Sequence, residues 1–522
     1  MRAEIAAEDT MSRWPLRLEL ASAAFGIVLL VQGAIQIRRA IPPMHDVFFE
    51  DRGCRMPMTV IEPPKNHVSG SVVLLHGLSA NRRVMLSLGE RFAGEGVRAY
   101  IPDLPGHDDS EERFSFTRVQ QCADVVVESL IRNKAIDPQT TILVGHSMGA
   151  AIAIRIADRD PVAATIAISP APMNAPQRIP SNLLVFSAQF DMRLLKEEAK
   201  QLEEAAGGSR IAPEDFAQHR AFELIHVPSA THTSLLFDPS VIARSRGWIA
   251  DTLHGASREM NDEIGREIPA DKVQFAILRG LLGLLFLFPL CATIAGKLAG
   301  PAQEEPSRAR PSRALLLAEG AACALAGVLI QAIGVPLKFL HLYTGDYLAS
   351  LLLIFGVLLI ALNRKEAKSA LPPDAGRFLA AATLGFATIL VFGGWLDWQL
   401  TDMWLNAPRW LRFAGLLPVT YIFCFAEEIT LGPVANGWRR AGRFGVFMLL
   451  RLELWLACAL TFYTIASGQV LILLLFIFLA LFSILQRLAT DALRLRTGSP
   501  AAAGLFGAIL AAWFIAAVFP LT

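Results

Sequence analysis

Two hydrophobic rhythms divide the chain. From residue 67 to about residue 254, short apolar runs rich in β-branched residues alternate with stretches of helical period. The runs are "GSVVLL", "GVRAYIP", "TTILVGH", "VAATIAIS", "NLLVFSA" and "AFELIHV", and stretches such as "RRVMLSLGERFAGEG" and "FTRVQQCADVVVESLIRNKA" separate them. Unbroken apolar strands alternating with helices predict a mostly parallel sheet covered by helices on both faces. After Val273 the rhythm changes to long apolar runs joined by short basic loops.

An earlier apolar run, "LASAAFGIVLLVQGAIQI" (20–37), is bounded by Arg17 and by Arg38–Arg39. Roughly 20 apolar residues cross a bilayer core as a helix. No small-x-small cleavage site follows and the Arg pair stands where cleavage would be needed, so the run reads as a retained anchor. Further spans begin near Val273, Ala314, Tyr347, Phe378, Leu411, Phe444, Gln469 and Ala501, which makes about nine in all. The predicted organisation is an anchor segment (1–40), a globular domain (41–256), a linker (257–272) and a polytopic all-α membrane domain (273–522).

Charge adds a sidedness argument. The loop "KLAGPAQEEPSRARPSR" is basic, the next has only Lys338, and "NRKEAKSALPPDAGR" is basic again. Arg409 and Arg412, then "NGWRRAGR", then Arg487, Arg494 and Arg496 continue the series, with an uncharged "IASGQ" between the last two. Basic loops belong in the cytoplasm, so by parity residues 41–272 face outward, the periplasm if the membrane is a bacterial inner one. The formal net charge of +1 gives no electrostatic case for nucleic acid. None of the six cysteines has zinc-ligand spacing, so no metal or cofactor is expected. Cys54 and Cys122 would pair only in an oxidising compartment.

The candidate chemistry sits in "ILVGHSMGAAIA" (142–153). A G-x-S-x-G pattern alone is weak, but here it joins a strand to a run of helix formers. Gly145 and Gly149 allow a sharp bend and close approach of strand and helix, and Ser147 is expected to be pushed up into solvent at the turn. The helix N-terminus beneath it favours developing negative charge.

The set His76–Gly77, "DLPGHDDS" (103–110), "GHSMG" (145–149), "FSAQFD" (186–191) and "ATHTS" (230–234) resembles the α/β-hydrolase superfamily. The nearest likeness within it is the serine aminopeptidase and monoacylglycerol-lipase-like branch. Two positions depart from that pattern: Asp108 stands where Gly is usual, and Thr231 precedes the histidine. The resemblance implies an α/β-hydrolase fold and the order nucleophile, acid, histidine. Ser147 would then be the nucleophile, Asp191 the orienting acid and His232 the base. Of the competitors, His226 reads as a satisfied sheet residue and His219 as solvated, while Asp215 and Asp238 lie in helical or post-histidine stretches. The oxyanion donors would be the Met148 N–H and an N–H of the loop after His76–Gly77, that of Leu78.

Between the sixth strand and the acid strand, "PAPMNAPQRIPS" is too short for a helical lid, and the charged stretch after Asp191 reads as a surface helix and loop. The pocket is then either open or covered by the membrane part to which both ends of the domain are tied, and an active site held at a bilayer surface favours amphiphilic acyl esters such as monoacylglycerols or lysolipids over soluble esters and peptides. In the membrane half, Glu319, Glu427, Glu428, Arg451 and Glu453 lie within apolar runs. Charged groups at membrane depth pair or serve a function, and pairing of Arg451 with one of the glutamates is expected. The sequence thus points to a membrane-anchored serine hydrolase of carboxylic esters. Its alternatives are a transporter or lipid-handling protein with an accessory hydrolase domain, and an inactive hydrolase fold used for binding.

Overall fold

The computed structural model describes residues 2–40, 44–63, 68–174, 176–255, 272–298, 313–370, 374–395, 403–434, 438–465, 471–472 and 475–522. They form two compact units. One holds the described residues between 39 and 272 with 520–522; the other holds the described residues between 2 and 38 and between 273 and 519.

The first unit is built on eight strands: β1 (Met44–Asp51), β2 (Cys54–Ile61), β3 (Gly70–Leu75), β4 (Val97–Pro102), β5 (Thr141–His146), β6 (Ala164–Ile168), β7 (Leu183–Ala188) and β8 (Phe222–Val227). They lie in the order β1-β2-β4-β3-β5-β6-β7-β8. From β4 to β8 the pairing is parallel, as the apolar runs predict, and every residue of β3, β5, β6 and β7 is buried. The first two strands add an antiparallel hairpin that the alternation of strands and helices does not announce. Its turn is Arg52–Gly53, both at positive φ as a tight hairpin turn requires.

Strand residues alternate between two cores, as a period of two dictates. Val72, Leu74, Ile142, Val144, Leu184 and Phe186 face one, closed by Met85 and Leu88 of α2 (Arg82–Ala93) and Trp248 of α7 (Pro239–His254). Ala167, Leu183 and Val185 face the other, closed by Ala150 and Ile154 of α4 (Met148–Arg159) and Ala199 and Leu202 of α5 (Arg193–Ala206). Side-chain caps start the flanking helices: Asn81 accepts from the Val84 N–H (3.1 Å), and Ser115 accepts from the Arg118 N–H (3.1 Å) to open α3 (Phe116–Arg132). Cys54 of β2 and Cys122 of α3 are joined as a disulfide, with Cα atoms 5.5 Å apart.

The second unit is helical. It opens with α1 (Arg2–Ala40), packed along α8 (Lys272–Leu298) through Ser22, whose hydroxyl donates to the Phe286 carbonyl (2.8 Å), and through an edge-to-face Phe25–Phe286 pair. The series continues with α9 (Arg313–Ile333), α10 (Gly345–Leu362), the short α11 (Arg364–Ser369), α12 (Ala375–Thr388), α13 (Ala407–Leu431), α14 (Trp438–Ile465), α15 (Phe476–Thr497) and α16 (Pro500–Val518). Among the described residues six helices are long and apolar enough to cross a membrane, within α1, α8, α10, α12, α13 and α16. Of the about nine spans expected from sequence, α9 offers a shorter apolar stretch, Leu317–Ile333. Both α14 and α15 carry several charges, Arg443, Arg451 and Glu453 on one and Arg487, Asp491 and Arg494 on the other. The start near Gln469 falls partly outside the described residues.

Candidate active site

The site forms where β5, β6 and β7 end and their connecting loops meet, the usual place for a ligand in an open α/β sheet. Ser147 stands between β5 and α4 in a strained conformation, φ 53° and ψ −115°. Its N–H donates to the Ile168 carbonyl (2.9 Å) and its carbonyl accepts from the Ala171 N–H (3.0 Å), so neighbouring strand and loop hold the bend. The two glycines serve close approach. A Cβ on Gly145 would lie 2.2 Å from the Gly149 carbonyl oxygen, and one on Gly149 would lie 2.0 Å from that of Leu75.

One expectation needs correction: Ser147 is not pushed into solvent but is 5% exposed. The backbone at Gly77 covers it, since a Cβ there would sit 3.1 Å from Ser147 Cβ. The serine is therefore buried beneath the loop after β3 rather than standing at a crest.

Asp191 and His232 meet across the loops after β7 and β8. His232 Nδ1 is 3.1 Å from Asp191 Oδ1 and 3.3 Å from Oδ2. A third residue, not identified from the sequence, completes the pair: Ser169, just after β6, lies with its hydroxyl 3.1 Å from His232 Nδ1 and donates to Asp191 Oδ2. Ser169 is buried and has a positive φ of 46°. Burial alone would raise the Asp191 carboxyl, but His232, Ser169 and the Met192 N–H (3.0 Å) outweigh it and hold the group below the usual carboxylate value. Among the described residues no hydrogen bond joins the Ser147 hydroxyl to the His232 ring; catalytic contacts of this kind are commonly long before substrate binds.

Two further histidines line the same sheet edge. His146, next to the serine, has Nε2 3.0 Å from the His232 carbonyl oxygen, which can only accept, so Nε2 carries the proton. Burial pushes this imidazole down to about 3. His76 is fully buried; its Nε2 accepts from the Leu104 N–H (2.9 Å) and its Nδ1 lies 2.8 Å from the Gly77 carbonyl, with burial lowering it to about 4. Both rings are neutral scaffolding between loops. Among the described residues, the N–H groups of Leu78 and Met148 are not spent on backbone hydrogen bonds, whereas that of Ser147 is.

The competing residues are accounted for locally. Asp215 pairs with Arg220 (2.8 Å) and accepts from the Ala212 N–H, and Asp238 caps α7 through the Ser240 N–H. His219 is exposed as expected, and His226 lies within β8, the last strand, as expected, with its side chain exposed. At the departure from the resemblance, Asp108 adopts φ 48°, a conformation Asp tolerates better than most residues. Asp103, Asp108 and Asp109 cluster closely enough to hold a cation. Arg82 already supplies a positive charge there, pairing with Asp103 and, at 3.0 Å, with Asp109.

In the helical unit the expected polar cluster changes membership. Arg451 pairs with Glu427 (2.7 Å), as expected. Glu428, however, meets Arg487, Arg443 (3.0 Å) and Arg494 (2.6 Å), and Asp491 meets Arg443 and Arg487 (2.6 Å). Glu453 lies instead over Gly320 of α9, and Glu319 is buried. Four arginines counted in sequence as loop charges are thus buried inside the bundle: Arg443, Arg487 and Arg494 in this network, and Arg409, which donates to the carbonyls of Ala516 (2.6 Å), Ala517 and Phe519. An arginine satisfied within the bundle is a weak marker of a cytoplasmic loop.

Comparison with known proteins bears on the first unit. Residues 72–281 match the model of the alpha/beta hydrolase family. No curated protein matches the chain. Similar solved structures include an alpha-beta serine hydrolase homologue from Coxiella burnetii (16% identity, 40% of this chain and 97% of that one, TM-score 0.33). Others are an esterase from Pyrococcus furiosus (16%, 41% and 95%, 0.34) and a serine hydrolase without a lid from Xanthomonas campestris (15%, 40% and 93%, 0.32). Over residues 72–281, then, the chain carries the alpha/beta-hydrolase fold.

Proposed function

We propose that this chain is a membrane-anchored serine hydrolase that cleaves carboxylic esters, with lipid-like acyl esters as its substrate class. His232 removes the Ser147 proton as the hydroxyl attacks the ester carbonyl, and Asp191 orients the ring and stabilises its charged form. The Leu78 and Met148 N–H groups receive the developing oxyanion. The alcohol leaves with the proton from His232, and water, deprotonated in turn by His232, releases the acid from the acyl-enzyme. The observation that carries the reading is the ionised Asp191 held against His232 Nδ1, which leaves Nε2 as the base.

Support for the membrane setting comes from six helices of sufficient length and apolarity. Support for an outward, oxidising location of residues 41–272 comes from the Cys54–Cys122 disulfide. The bundle-buried arginines remove much of the loop-charge argument, so the disulfide carries more of the weight. The lipid-like substrate rests on the absence of a helix among the described residues between β6 and β7, where a lid would stand. A lidless site tied to a bilayer suits an amphiphilic acyl ester.

A fluorophosphonate probe tests the chemistry in the full chain. Labelling of the wild type and none of Ser147→Ala supports the enzyme, and labelling of neither ends that reading. A maleimide shift before and after reduction in intact cells tests the location: Cys54 and Cys122 protected until reduction supports the outward face. A second reading, a lipid-handling membrane protein with an accessory hydrolase domain, is favoured by one observation, the buried network on Glu427 and Glu428. It requires that a Glu428 variant lose the cellular function while Ser147→Ala keeps it.

A further inference from the structure

Within the helical unit, α10, α13, α14, α15 and α16 line a partly open cavity of about 200 Å³. Its wall is almost entirely apolar, including Leu352, Phe447, Trp455 and Phe514. Among the described lining residues one is charged: Arg451, whose guanidinium lies over the rings of Phe423 (5.1 Å) and Phe447 (4.9 Å).

Arg451 meets Glu427 through both Nη atoms, Nη1 at 2.7 Å from Oε1 and Nη2 at 3.3 Å from Oε2, and shares that carboxylate with a neighbour. Its carboxylate partner Glu427 also lies 3.6 Å from Arg487. Arg487 also meets Glu428 and Asp491, so the Glu427 carboxylate stands between two guanidinium groups. Glu453 does not face Arg451. It follows Arg451 by two positions, roughly 200° round the helix, and lies over Gly320 of α9. Arg451 is also less buried than Arg443, Arg487 and Arg494, its side chain 17% exposed where theirs are at most 4%. A cation at membrane depth with a shared counter-ion, set in the wall of an apolar cavity, is complementary to an anion that carries an apolar chain.

We propose that this cavity is a binding site for a single-chain fatty carboxylate, its head on Arg451 and its chain among Phe447, Trp455 and Phe514. The volume is too small for the two chains of a phospholipid, and a single chain longer than the cavity leaves it through its open side. The site lies wholly within the helical unit, and the inference does not depend on the reaction assigned to Ser147.

The test uses the full chain carrying Ser147→Ala, purified in nanodiscs of phosphatidylcholine, with a diazirine-bearing octadecanoic acid as the probe. Crosslinks are expected in peptides of α13, α14 or α15. Oleate should displace the probe at about tenfold lower concentration than oleyl alcohol, because only the acid forms the charge-assisted pair. Arg451→Gln should erase that preference, and Arg451→Lys should keep part of it. Crosslinks confined to other helices, equal competition by the alcohol, equal competition by phosphatidylglycerol, or a preference retained in Arg451→Gln would each overturn the proposal. Should Arg451→Gln fail to fold, the acid-against-alcohol comparison in the parent chain still decides.

Discussion

His146 Nε2 donates to the main-chain carbonyl of His232, 3.0 Å away. The residue before the proposed nucleophile thereby fixes the loop that carries the proposed base, and the two imidazole rings lie 4.7 Å apart. Only His232 has a carboxylate on its Nδ1; His146 is buried and neutral.

That neutrality predicts an acid-sensitive fold. A histidine whose folded pKa lies below its unfolded value of about 6.5 binds protons more readily when unfolded. Stability is therefore full above that value and falls as pH drops toward the folded values, about 3 for His146 and about 4 for His76. Each ring should cost about 2 kcal/mol at pH 5 relative to pH 7. His146→Gln, which keeps a donor near the Nε2 position but does not titrate, should reduce the loss by about that amount. Thermal unfolding at the two pH values measures it, and an unchanged difference would contradict the assignment.

Asp191→Asn tests the acid. The amide keeps the shape but not the charge, and should lower kcat on a short-chain nitrophenyl ester by about 10⁴-fold with little change in KM. Retention of most activity would show that Asp191 does not orient His232.

Ser169 is a positioning residue. Its hydroxyl donates to Asp191 and lies beside His232 Nδ1. Ser169→Ala removes one hydrogen bond, about 1–1.5 kcal/mol, so kcat should fall about tenfold. Because Asp191 also loses a donor, the acid limb of the kcat–pH profile should move to higher pH. A loss of activity without that movement would mark a packing effect instead.

In the helical unit, Glu428 is 1% exposed and meets three arginines. Glu428→Ala leaves buried guanidinium groups facing one another and should destabilise the bundle by about 3–5 kcal/mol. Fluorescence-detected chromatography after heating reads this directly. Fluorophosphonate labelling at low temperature should survive, since Ser147 belongs to the other unit.

Local pattern accounts for much of this molecule. The β-branched runs from "GSVVLL" onward determined the parallel strands because fully buried strands need unbroken apolar sequence. Gly145 and Gly149 determined the bend at Ser147, since any side chain there meets backbone within 2.2 Å. Other features depend on residues that meet only after folding. Ser169 beside Asp191, His146 under the His232 loop, and Gly77 over Ser147 are separated by 22 to 86 positions or by a whole strand–helix unit, and no spacing encodes them. The arginines of α14 and α15 show the same division. Along the chain they look like loop charges; in space their long side chains reach the Glu427–Glu428 pair, because an ion inside a bundle is stable only beside its counter-ion.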